Sequence, residues 1–138
     1  MNFVRSKKVQ KEYLKKIETL NKNECFICDK ELFQCEFTHW VLLKNRFPYS
    51  IKFLWFEIPV KNHYLLCPKR HINQSKKLDK REKDEFKFLI SDELKRFGFD
   101  FDIHRWNTVK ESSFKYHLHC QVIELSPLFA ILQKFGIL

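Results

Sequence analysis

Glycine is nearly missing: the chain has two in 138 residues. Tight turns must therefore be few, and fifteen phenylalanines point instead to a thick aromatic core. No apolar run reaches the ~18–20 residues that a membrane helix needs, so no membrane partner is expected. The opening "MNFVRSKKVQKEYL" lacks the apolar stretch and small-residue cleavage site of a secretory leader, and a reducing, cytoplasmic setting is the expectation. Repeats, low-complexity tracts and interdomain linkers are also missing, which leaves residues 1–138 as a single domain. That length buries one sizeable core but not two. Acidic residues are in short supply, 17 against 26 lysines and arginines, for a net charge of +9. Such an excess favours anionic partners: phosphates, nucleotides or nucleic acid.

The pattern of the chain reads as helix, strands, helix, strands. Over 4–20, Val9, Tyr13, Ile17 and Leu20 form one apolar stripe on a lysine-rich helix that also counts Arg5 among its cations. A solvated face explains those cations more simply than a dedicated nucleic-acid surface. After the polar loop "NKNECFICDK", "THWVLLKN" and "IKFLWFEI" read as strands split by "RFPYS", and "NHYLLC" as a third strand closed by Pro68. A second helix starts at Asp79, whose spacing to Glu82 fits a capping box, and stops near Gly98. Phe86, Leu89, Ile90, Glu93 and Phe97 make its stripe, with Glu93 as the one polar interruption. "FDFDIHRWN" and "KYHLHCQVIE" follow as antiparallel neighbours, and the tail from Pro127 suits a short helix. The fold class is α+β, with an antiparallel sheet of about five strands, an N-terminal helix and one long helix packed on the sheet. Trp40, Trp55 and Trp106 read as core rather than as stacking platforms for a base. Cys67 and Cys120 read as buried in apolar strands, and His39 and His104 as structural or exposed.

Two groups of residues can carry chemistry. Cys25 and Cys28 are spaced Cys-x-x-Cys in a chain with an odd number of cysteines, a pattern that fits a metal knuckle or a redox pair better than a disulfide framework. A structural zinc would need two further ligands, for which His39, His63, His71, His104, His117 and His119 are all available by type. The second group is "YHLHCQVI", residues 116–123. On a strand, His117, His119 and Gln121 would share one face, because successive side chains alternate. A half-buried edge strand with its polar row in water would look the same.

Taken in order, "NRFPY", "HYLLCPKRH" and "HLHCQ" resemble the motifs of the histidine-triad (HIT) superfamily, over roughly residues 24–125. That leaves 1–22 as a basic N-terminal helix and 126–138 as a tail. The third triad position holds Gln121, the version seen in galactose-1-phosphate uridylyltransferase and the dinucleoside polyphosphate phosphorylases. The lead-in "ESSFK" has no glycine, and "SIKFLWFEIPVKN" is longer than the usual connection. The resemblance implies a structural zinc held by Cys25, Cys28, His71 and His117. It implies that His119 is the nucleophile that attacks the α-phosphorus of a nucleotide and forms a nucleotidyl-imidazole. Gln121 would donate to a phosphoryl oxygen, and unlike histidine it cannot protonate a poor leaving group. Asn45 would meet the ribose, Asn107 and Ser113 (or Ser112) the phosphates, and His63 would lie beside the triad. The implied activity is that of a nucleotide hydrolase or nucleotidyltransferase on a dinucleoside polyphosphate or nucleotide conjugate, in a homodimer. The alternative is a non-catalytic, zinc-containing nucleotide- or RNA-binding module that uses the basic surface.

Overall fold

Three strands, "WVLLK", "NHYLLCP" and "CQVIE", are apolar on both sides of the pleat, and such strands must be covered on both faces. In the computed structural model, which describes residues 2–19, 25–28, 30–106 and 117–137, they are the centre of a five-stranded antiparallel sheet. The chain runs β1 (Phe3–Val4), α1 (Lys7–Thr19), β2 (Phe33–Glu36), β3 (Trp40–Lys44), β4 (Ser50–Phe53), β5 (Phe56–Pro59), β6 (Asn62–Pro68), α2 (Lys80–Phe88), α3 (Leu94–Arg96), β7 (Ile103–Trp106), β8 (Cys120–Glu124) and α4 (Pro127–Lys134). The large sheet has the order β2-β3-β6-β8-β7, and β1-β4-β5 form a small second sheet. The α+β class and the antiparallel sheet under one long helix are therefore as the sequence predicts.

Alternation along the central strands sorts their side chains into two layers. Trp40, Leu42, Leu66, Cys120 and Val122 face α2 and pack with Leu89 and Leu94. Val41, Leu43, Leu65 and Cys67 face the other way, onto Ile27 and Ile17 of α1. Pairing places Leu65 opposite Gln121, and facing partners share a side of the sheet. Gln121, with His63 two residues before Leu65, therefore lies on the α1 side, away from α2.

The long helix starts where the sequence predicts. Asp79 accepts from the Glu82 backbone N–H and the Glu82 side chain returns to the Asp79 N–H, a complete capping box. Glu82 is buried and also meets Arg70 at 2.5 and 3.1 Å, while its carbonyl accepts from the Trp40 indole at 2.8 Å. One turn then widens. Over Leu89–Glu93 the bonding is π-helical, with the Leu94 N–H reaching the Leu89 carbonyl. That extra residue carries Leu94, fully buried, into the position where Glu93 would interrupt the stripe. Gly98, at φ +86, takes the left-handed conformation that ends the helix.

Four expectations need correcting. "IKFLWFEI" is a two-residue hairpin, β4 and β5, with Leu54 at φ +52 in its turn. Trp55 is 87% exposed at the tip and is no part of the core, although Trp40 and Trp106 do pack together. The strand in "KYHLHCQVIE" begins only at Cys120, so His117 and His119 precede it. Arg5 lies between β1 and α1 instead of on the helix face.

Candidate functional site

The metal-ligand question is answered first by the knuckle. A short 3-10 turn, Phe26–Cys28, holds both cysteines below β3, with Ile27 buried as its anchor. From the end of β6 the chain turns through Arg70 to His71, and from the far side Leu118 donates its N–H to the Ile72 carbonyl at 2.6 Å. That bond brings His117 over the knuckle. The Cys25 and Cys28 sulfurs each lie 3.4 Å from His117 Nδ1, Cys28 Sγ lies 3.4 Å from His71 Nδ1, and the two histidine Nδ1 atoms are 3.2 Å apart. All four ligand atoms fall within 4.8 Å of one another. A zinc tetrahedron with bonds of ~2.3 Å to sulfur and ~2.0–2.1 Å to nitrogen has edges of about 3.3–3.8 Å, and the four distances of 3.2–3.4 Å lie close to that range.

The protons agree with that fit. His117 Nε2–H donates to the Pro68 carbonyl at 2.7 Å, which leaves Nδ1 with its lone pair toward the sulfurs. Burial holds the His117 imidazole down to about 4, so it is neutral as a ligand must be. Burial, and then the neighbouring Cys25 sulfur, push the Cys28 thiol up to about 11. Two adjacent thiols resist ionising together until a cation lies between them. Cys25, Cys28, His71 and His117 thus form a cluster that could hold a metal ion, and zinc is the ion its donor set suits. Cys67 and Cys120 are fully buried in β6 and β8, on opposite faces of the sheet, with thiols pushed upward by burial, Cys120 to about 12, which suits packing.

A second, contiguous group starts one residue past His117's neighbour. His119 places Nδ1 2.9 Å from the His117 carbonyl. A carbonyl only accepts, so Nδ1 carries the proton and Nε2 the lone pair. Burial, partly offset by that bond and reinforced by the Arg5 charge, keeps the imidazole below its ordinary range and neutral at pH 7. Gln121 is buried on the next strand position but one, and its oxygen accepts from His63 Nε2 in a short hydrogen bond. The tautomer of His63 follows from its other nitrogen, which accepts from the Tyr49 N–H at 3.1 Å. Burial first, then the Arg5 and His119 charges against the opposing Gln121 bond, hold His63 down to about 4. Asn45 is buried against His63, its amide nitrogen 3.3 Å from Nε2, while its oxygen accepts from the Phe47 N–H at 2.8 Å.

Of the residues singled out in the sequence, eight are therefore brought together: the four cysteine and histidine ligands, and beside them Asn45, His63, His119 and Gln121. Asn107, Ser112 and Ser113 lie outside the described residues. Two residues escaped the sequence reading. Tyr49 packs its ring 4.6 Å from that of His63, and Arg5 lies over Tyr49. Tyr49 was in view as the last letter of "NRFPY", whereas Arg5 was hidden in a run of surface lysines.

The sheet order, the long helix packed on one face and the histidine-bearing groups on the other define a HIT-like α+β fold. Among solved structures, the crystal structure of a HIT family hydrolase from Legionella pneumophila Philadelphia 1 is similar, with a TM-score of 0.50 and 14% identity over 75% of this chain and 93% of that one. The likeness at that identity is one of fold. No family model matches the chain, and no curated protein matches it in sequence.

Proposed function

We propose that the chain, as one domain, is a nucleotide hydrolase or nucleotidyltransferase that works at the α-phosphate through a covalent nucleotidyl-histidine, with His119 as nucleophile. The observation that carries this reading is the 2.9 Å bond from His119 Nδ1–H to the His117 carbonyl, which fixes the tautomer and leaves the lone pair on Nε2 as the reactive atom. In the reaction Nε2 attacks the α-phosphorus, a P–N bond forms, and the P–O bond to the leaving group breaks. The leaving group departs as an anion, since no acid at the third position protonates it. His63 holds the Gln121 oxygen, so the NH2 half of that carboxamide is the half that donates to a phosphoryl oxygen. Water or an acceptor alcohol or phosphate then attacks the phosphorus and gives up its proton, where it carries one, to solvent. The P–N bond breaks, and the neutral imidazole is restored with its proton still on Nδ1. Asn45 would meet the ribose, and Asn107 and Ser113 the phosphates. A structural zinc on Cys25, Cys28, His71 and His117 would tie the knuckle to the segment that carries His119.

A second reading, a nucleotide- or RNA-binding module without turnover, draws on the exposed Lys7, Lys8, Lys11 and Lys15 of α1. One experiment separates the two. Wild type and His119→Ala are incubated briefly with dinucleoside polyphosphates and nucleotide conjugates, and intact mass is measured. A nucleoside-monophosphate adduct on the wild type alone is the expected result. Absence of adduct and product from a folded, metal-loaded chain would sink the enzyme reading and leave the binding module.

A further inference from the structure

We propose that Arg5 is a phosphate-binding residue of this site, its guanidinium supplied from the segment between β1 and α1 to take a phosphoryl oxygen of the substrate. The inference rests on the nucleotide reading above and adds to it a cation that no triad motif contains.

The geometry builds Arg5 in place. Its guanidinium carbon lies 4.0 Å from the Tyr13 ring centroid and 4.8 Å from that of Tyr49. Its Nε–H donates to the Phe47 carbonyl at 3.0 Å across 42 residues. Two aromatic faces and one carbonyl therefore fix a partly buried guanidinium. They engage its faces and its Nε–H, and they supply no negative charge. Among the described residues no carboxylate pairs with it. A cation held half out of water without a counter-ion is costly unless an anion arrives.

The location says which anion. Tyr49 is the shared wall: one side lies under Arg5, and its ring is 4.6 Å from His63, which in turn holds Gln121. Burial is the main reason that His63 is held down, and the Arg5 charge adds to it, so the guanidinium is within electrostatic reach of that ring. The first turn of α1, immediately after Arg5, has Lys7 and Lys8 and no acid. The positive pole of a helix ordinarily attracts carboxylates there. Positive charge at that pole makes sense beside a bound anion. An arginine fork matches phosphate geometry and spreads its charge over two oxygens, which a lysine does not do.

The test compares Arg5→Gln and Arg5→Lys with wild type for binding of the four nucleoside 5′-monophosphates and the four uncharged nucleosides, by calorimetry, with folding checked by circular dichroism. Arg5→Gln should weaken monophosphate binding by about 10–100-fold and leave nucleoside binding within about twofold, with Arg5→Lys in between. On the wild type itself, the Arg5 Nε–H resonance should move when monophosphate is added and stay when nucleoside is added, a readout that needs no variant to fold. Equal loss of nucleoside and monophosphate would make Arg5 a mere brace and overturn the proposal. So would unchanged monophosphate affinity or a still resonance, and either result leaves the His119 reading standing. Failure of the wild type to bind any monophosphate would overturn both.

Discussion

Removing metal from the Cys25–Cys28–His71–His117 cluster should bring the chain close to unfolding. The four ligands come from three segments, and the ligand pairs span 43 residues from Cys28 to His71 and 46 from His71 to His117. Closing one loop of that length removes about 4 kcal/mol of chain entropy from the unfolded state, so two closures set a ceiling of roughly 8 kcal/mol. A whole domain has only about 5–15 kcal/mol to lose. Even half the ceiling would lower Tm by about 10 °C for a chain of this size. The assay is elemental analysis of the purified protein, expected at one zinc per chain, followed by thermal unfolding with and without a chelator. Cys28→Ser should reproduce the chelated curve. Cys35→Ser is the control, because Cys35 packs under the α2 face and should keep both the metal and the Tm within a few degrees. A metal-free protein whose melting neither zinc nor chelator shifts would refute the reasoning, since the tetrahedral spacing would then be packing alone.

Two further outcomes test the core and the buried histidine. His63 is 2% exposed and held down to about 4, so the unfolded chain takes up a proton near pH 6.5 that the folded chain refuses. The His63 contribution is full above pH 6.5 and is lost as pH drops toward 4, by up to about 3 kcal/mol, and His63→Gln should make urea-midpoint curves shallower across that window. The remaining slope comes from His117 and His119, which burial also holds down. Leu94→Ala should cost about 2–5 kcal/mol while Glu93→Ala stays within about 0.5, the opposite of what an uninterrupted helix would give.

How much of this could be read in advance depended on whether the signal was local. The Asp79–Glu82 box, the apolar strands and the Cys-x-x-Cys knuckle are fixed by neighbours in sequence, and each is where it was expected. The turn of β4 and β5 was missed because a two-residue hairpin needs positive φ, usually advertised by Asn-Gly, and here Leu54 adopts it instead. Glu93 looked like a flaw in a helical stripe, since periodicity at 3.6 cannot anticipate a π turn that substitutes Leu94. The row of His117, His119 and Gln121 suggested a strand, but His117 is drawn off the sheet by Cys25, Cys28 and His71, up to 92 residues away. Arg5 could not be told from its lysine neighbours, because what distinguishes it is Tyr13, Tyr49 and a carbonyl at Phe47. Long-range partners leave no local mark.

That same long-range geometry links the cluster to the proposed nucleophile in one direction only. His117 gives its ring to the cluster and its carbonyl to His119 Nδ1–H, so one residue fixes both the ligand set and the tautomer that makes Nε2 reactive. Without the metal the segment keeps only the Leu118 N–H bond to Ile72 and the His117 Nε2–H bond to Pro68, and the expectation is that its backbone turns enough for the carbonyl to leave Nδ1. His119→Ala, by contrast, removes nothing that holds His117. Metal removal at low temperature, where circular dichroism still reports folded protein, should therefore cut turnover at least tenfold, while His119→Ala should lose turnover and keep its full metal content. A folded, metal-free protein with unchanged kcat would mean that the His119 tautomer is set by something other than the carbonyl of a metal ligand.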